Sequence, residues 1–214
     1  MKTLFLALIC FPVFAASDFI AIDLVLKPDQ KMENVAQTMN ARLVNSDDVA
    51  GFAFDESHFP HVTILPLVIK RSDLEKVLAI VKAEGNKDIS LRSQAIEVTK
   101  LNDNADEKLV SLNFEKKPEL IKLQEKLLRK LKPFMQDEAP KGAFYDEDTI
   151  QPQFVNYVEN FTDQHIGKDY TPHMTLGVEP KGFIHVTPPT EEFHFSGIGV
   201  YQMGEYGTAR KELR

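Results

Sequence analysis

Two short stretches of this chain repeat one pattern, Pro-His-x-Thr followed by an aliphatic residue. They are Pro60-His61-Val62-Thr63-Ile64 and Pro172-His173-Met174-Thr175-Leu176, about half the chain length apart. Alternate residues of a strand share a face. As strands, one stretch projects His61 with Thr63 and the other His173 with Thr175. Val62, Ile64, Met174 and Leu176 then point the opposite way, into packing. Such a chain needs a fold with two strands, each reactive on one side and anchored on the other. Chance supplies roughly 0.1 copies of His-x-Thr-aliphatic in a chain of this make-up, so two copies behind prolines carry information. A third His-x-Thr, His185 to Thr187, runs into Pro188 and Pro189, which end strand pairing, and is set aside.

The segments around the motifs share a grammar. Residues 18–26 alternate partly as a strand. Pro28 and Asp29 then open a helix with Met32, Val35, Ala36, Met39 and Leu43 on one stripe. Residues 62–69 read as the motif strand, and Pro66 within it implies an edge, bulge or bend. Ser72 and Glu75 have capping-box spacing ahead of a helix that Gly85 ends. Residues 89–98 suit a further strand. In the second half, residues 109–114 alternate as a strand, Pro118 opens a helix whose Leu120, Leu123, Leu127, Leu131 and Phe134 keep a helical period, a short helix lies near 154–161, and 173–178 is the second motif strand. Residues 193–201 read as the last strand. Residues 136–170 are expected to form a loop or lid insertion in the second lobe. The chain is therefore expected to be α+β, with two pseudo-symmetric lobes, each an antiparallel sheet covered outside by helices.

Composition narrows the function. The 214 residues carry 32 Asp and Glu against 25 Lys and Arg, a net charge of −7. A protein that grips long nucleic acid shows a basic face, and none is evident. Lys2, an uncharged apolar run to Ala16, and Val13-Phe14-Ala15 have the form of a secretory signal, so residues 1–15 are expected to be removed and 16–214 to form one bilobal domain. The single cysteine, Cys10, lies in that segment, which leaves a mature chain without thiols or disulfides and suits a bacterial periplasm. The run is too short to span a membrane, and no other stretch is long enough.

His61-Val62-Thr63-Ile64 and His173-Met174-Thr175-Leu176 resemble the paired signature of the 2H phosphoesterase superfamily, which includes 2′,5′ RNA ligase-like proteins and 2′,3′-cyclic nucleotide phosphodiesterases. The resemblance spans most of the chain after residue 16. It implies a bilobal fold with both motifs on strands lining a central cleft. It implies a metal-independent phosphodiesterase acting on 2′,3′-cyclic phosphate or 2′,5′-linked nucleotide or RNA ends; a monomer without cofactor is expected. His61 and His173 become the catalytic pair, with His61 as acid and His173 as base by analogy. Two imidazoles on opposite sides of one phosphorus can move both protons the reaction needs. Thr63 and Thr175 can donate to the non-bridging oxygens.

Other residues are weaker candidates. Tyr170, three residues before His173, and Phe59, two before His61, could stack on a base. Tyr201 and the segment after it, with two glycines and Arg210, could edge the cleft and touch substrate. His58 and His61 have His-x-x-His spacing, but Pro60 argues against the helix a metal pair would need. A binding protein that keeps the cleft without turnover, and a metallohydrolase built on His58 and His61, are the alternative readings.

Overall fold

The computed structural model describes residues 17–44, 51–85, 88–101, 108–179 and 188–214. The signal-like segment and His185 lie outside them. Strand β1 (Phe19–Pro28) leads into α1 (Gln30–Val44), where the Asp29 carboxylate accepts the Met32 N–H at 2.8 Å and caps the helix. Next come β2 (Val62–Lys70), α2 (Leu74–Glu84), β3 (Asp88–Lys100) and β4 (Lys108–Phe114). Helix α3 (Pro118–Leu131), α4 (Pro152–Gln164), β5 (His173–Val178), β6 (Glu192–Met203) and β7 (Ala209–Glu212) complete the described chain.

The sheet order is β2-β1-β6-β3-β4-β5, with β7 paired to β6. It reads as two halves, β2-β1-β6 and β5-β4-β3, joined where the start of β3 pairs the start of β6, Asp88 with Ser196 through Arg92 with Glu192. The α+β fold with two similar antiparallel halves is the architecture the sequence pattern implies. Each motif strand is the outer strand of its half, β2 at one end and β5 at the other. That explains why Pro66 is tolerated: an edge strand has backbone positions that owe no ladder bond. Gly197, at φ +105°, lies where β6 leaves β3 for β1, and a Cβ there would come within 2.8 Å of the Gly85 carbonyl oxygen.

Helices and sheet meet across the halves. Helix α3 buries Leu120, Leu123, Leu127 and Leu131 in the main core, together with Ile20, Ile22, Leu24 and Leu26 from the even face of β1. The odd face of β1 carries Ala21, Asp23 and Val25, all buried, on the other side of the sheet.

Three details differ from the sequence expectations. Ser72 lies in a 3-10 turn (Arg71–Asp73), so α2 starts one residue later behind Asp73 and no capping box forms. Asp73 accepts from Lys76 instead, at 2.8 Å. The tail is not past the last strand: residues 209–212 add β7 to β6. Residues 136–170 are no lid on the second half, since Phe154 and Val158 of α4 bury against Ala21 and Val68 of the first half's sheet.

Candidate active site

Each motif is shaped by a one-residue slip in its ladder. Leu24 pairs Leu65 and Val25 pairs Thr63, so Ile64 is left out; Val110 pairs Gly177 and Ser111 pairs Thr175, so Leu176 is left out. The skipped residue is the aliphatic member of both motifs. Its carbonyl has no strand partner and needs another donor. In each half a buried amide from the opposite half supplies it. Gln124 of α3 donates to the Ile64 oxygen at 2.9 Å, and Asn40 of α1 donates to the Leu176 oxygen at 2.8 Å. The same amides hold the segments ahead of the motifs. Asn40 donates to the Phe52 oxygen and accepts from the Phe54 N–H; Gln124 donates to the His165 oxygen and accepts from the Gly167 N–H. Sequence reasoning passed over both, because a lone Asn or Gln on an otherwise apolar helix stripe is ambiguous until its partner strand is known.

The histidines are set alike. His61 Nδ1 lies 2.7 Å from the Phe59 carbonyl oxygen and His173 Nδ1 lies 2.9 Å from that of Thr171, in each case two residues earlier. A carbonyl only accepts, so Nδ1 carries the proton in both rings and Nε2 is the atom left to exchange protons. Both rings and both threonines line one open cleft of about 180 Å³. Tyr157 and Phe154 of α4 and Tyr206 form its aromatic wall. Phe154 meets Tyr206 edge-on at 5.3 Å, and Tyr206 holds φ +58°, a conformation uncommon outside glycine. Among the described lining residues Lys100 is the one Lys or Arg.

The surroundings of the two motifs differ. His61 is only 9 % exposed, and burial lowers its pKa to about 4, with His173 nearby pushing the same way and hydrogen bonds with the Phe59 and Gly207 backbone opposing. His173 is partly exposed. The Thr63 hydroxyl lies 2.6 Å from Asp23 Oδ2, whereas the Thr175 hydroxyl has no side-chain partner among the described residues. Asp23 is fully buried, and its Oδ2 is also 3.5 Å from His61 Nε2. Burial lifts its pKa to about 8, although the Thr63 hydrogen bond works against that. Sequence reasoning missed Asp23, yet a signal existed: it is a single charge inside the apolar run Ile20-Ala21-Ile22-Asp23-Leu24-Val25.

Two expected substrate contacts are elsewhere. Tyr170 is 2 % exposed in the main core, and its hydroxyl donates to the Thr63 carbonyl at 2.6 Å, bracing the first motif from the approach to the second. Tyr201 is buried with Val25 and Ala209 and packs on Phe59 at 5.2 Å. Neither ring lines the cleft, because each had apolar core to fill. The segment after Tyr201 does reach it, through Tyr206 and Gly207. His58 turns away from His61: its ring stacks on Phe52 at 5.5 Å and its nitrogens meet Asp55 and Arg210. A cation facing His58 is the wrong neighbour for a metal ligand.

No family model and no curated protein matches this chain. Solved structures do. Apo LigT of Escherichia coli is 14 % identical, with 92 % of this chain and 96 % of LigT covered, at a TM-score of 0.56. LigT complexed with ATP aligns over the same shares at 14 % identity and a TM-score of 0.52. TT0787 of Thermus thermophilus is 13 % identical over 91 % of this chain and 96 % of its own, at a TM-score of 0.53. The chain has the fold of LigT and TT0787 over nearly its whole length.

Proposed function

We propose that this protein is a metal-independent phosphodiesterase that opens 2′,3′-cyclic phosphates or cleaves 2′,5′-linked nucleotide or RNA ends. One observation carries the reading: two imidazoles, each with Nδ1–H tied to a backbone carbonyl, share a cleft with two threonine hydroxyls. The LigT complex with ATP supports a small nucleotide as ligand, and the aromatic wall of the cleft suits one.

Hydrolysis of a 2′,3′-cyclic phosphate then runs in one displacement. Water attacks phosphorus and gives a proton to one Nε2. The bond from phosphorus to the 3′ oxygen breaks, and the other Nε2–H protonates that oxygen, leaving a 2′-phosphate. Dry burial keeps His61 neutral in the free protein, so His61 is the ready proton acceptor and His173 the donor. That assignment reverses the one suggested by analogy. The threonines donate to the non-bridging oxygens, where charge builds.

The test is incubation of the purified protein, with and without EDTA, with 2′,3′-cyclic nucleotides and 2′,5′-linked dinucleotides. Conversion to 2′-phosphate that survives EDTA supports the reading. Binding without product points to a nucleotide-binding protein, and loss with EDTA to a metallohydrolase. Export, supported by the N-terminal sequence pattern, is tested by cell fractionation.

A further inference from the structure

We propose that Asp23 is kept as an uncharged carboxylic acid that donates its hydrogen to Thr63, which frees the Thr63 hydrogen for the bound phosphate. The inference rests on the reading above and names a positioning residue for it.

Asp23 has no exposed surface, and its Oδ1 has no hydrogen-bond partner. The groups facing it are His61 just ahead of β2, Thr63 on β2, Tyr157 on α4, Tyr170 ahead of β5, and Tyr201 as its cross-strand neighbour on β6. No Lys or Arg among the described residues pairs with it. A carboxylate there would be an uncompensated charge in a dry site, which costs several kcal/mol, whereas a neutral acid leaves only one carbonyl-type oxygen bare. Burial also holds its pKa up at about 8.

The direction of the Thr63 hydrogen bond decides what Thr63 can do. A hydroxyl has one hydrogen. If Thr63 spends it on a carboxylate, the phosphate meets only lone pairs. If Asp23 Oδ2–H donates to Thr63 Oγ1, the Thr63 hydrogen points to the ligand. The arrangement is unlike a triad, in which the carboxylate holds Nδ1 and leaves Nε2 free. Here the Phe59 carbonyl holds His61 Nδ1, and Asp23 lies behind Nε2 beyond hydrogen-bond range. The second half shows the simpler solution. Asp23 pairs Pro66 two places before the slip, and the matching residue is Leu109, which pairs Val178. With leucine there, no side chain among the described residues competes for the Thr175 hydroxyl.

Infrared difference spectroscopy of wild type against Asp23→Asn tests the protonation state without substrate. A carboxylic-acid C=O band at pH 6, absent from D23N and fading as pH rises through about 8, is expected. Absence of that band at pH 6 overturns the proposal, whatever the protein's activity. With a cyclic nucleotide, D23N keeps a donor toward Thr63 and loses about threefold in kcat or less, while Asp23→Leu loses at least about tenfold, within the range for a disturbed oxyanion donor. Asp23→Leu added to Thr63→Val costs little more, since both act through one hydroxyl. A D23N loss of about 10²–10⁴-fold shows a working carboxylate and overturns the proposal.

Discussion

His61, just ahead of β2, and His173, at the start of β5, hold equivalent backbone carbonyls and face one cleft, yet they meet water differently. The first ring is mostly buried, with Asp23 behind it and the Tyr170 hydroxyl bound to the Thr63 carbonyl of its strand. The second is partly open, and Leu109 stands where the first half has Asp23. A repeated backbone thus offers two copies of one geometry, and burial lowers the proton affinity of His61. Two identical imidazoles would compete for the same role; two unlike ones can divide acceptor from donor.

Removing the rings is the severest way to break the comparison. His61→Ala and His173→Ala are each expected to lower turnover at least about a hundredfold. Added imidazole should restore more activity in the partly exposed H173A site than in the largely buried H61A site. Equal rescue in steady-state assays would show that the difference in burial has no functional weight.

The threonines come next. Thr63→Val and Thr175→Val are each expected to cost about ten- to a thousandfold in kcat. A loss confined to one of them would mean that a single motif holds the phosphate.

Asn40 and Gln124 probe how the halves are joined. Replacing either by Ala leaves two carbonyls and one N–H without that partner, and each is expected to lower stability by at least about 1–3 kcal/mol in denaturant melts. Because each amide holds the skipped carbonyl of the opposite motif and the segment ahead of its own, either substitution should shift both imidazole resonances in NMR. A shift confined to the same-half ring would refute the crossed bonds.

The gentlest probe is a pH series of thermal melts on D23N. Asp23 binds its proton more tightly folded than unfolded, so the stability it adds is complete below about pH 4 and is lost as pH rises through about 8. D23N lacks that loss. Its melting temperature is expected to gain on wild type by several degrees between pH 4 and 9, and a constant offset would contradict a buried neutral acid.

Much of this was legible in residue order. The alternation around His61 and His173, the helix stripe from Met32 to Leu43 and the Pro118 helix all emerge as expected, because periodicity reports burial on one face. The Ser72 cap failed because a 3-10 turn moved the helix start, a choice made by chain direction at the end of β2. Tyr170 and Tyr201 read as ligand contacts because an aromatic ring beside a motif is ambiguous; which way it turns depends on the room in the core.

By itself the sequence determined the elements, the pairing of His with Thr on one strand face and the twofold repetition, since these are local and set by spacing. Only the tertiary structure decided that both motifs open on one cleft, that Asn40 and Gln124 cross between halves, and that Asp23 stands dry behind Thr63. Those are contacts between residues far apart in the chain, and their energies depend on how much water folding excludes from each place.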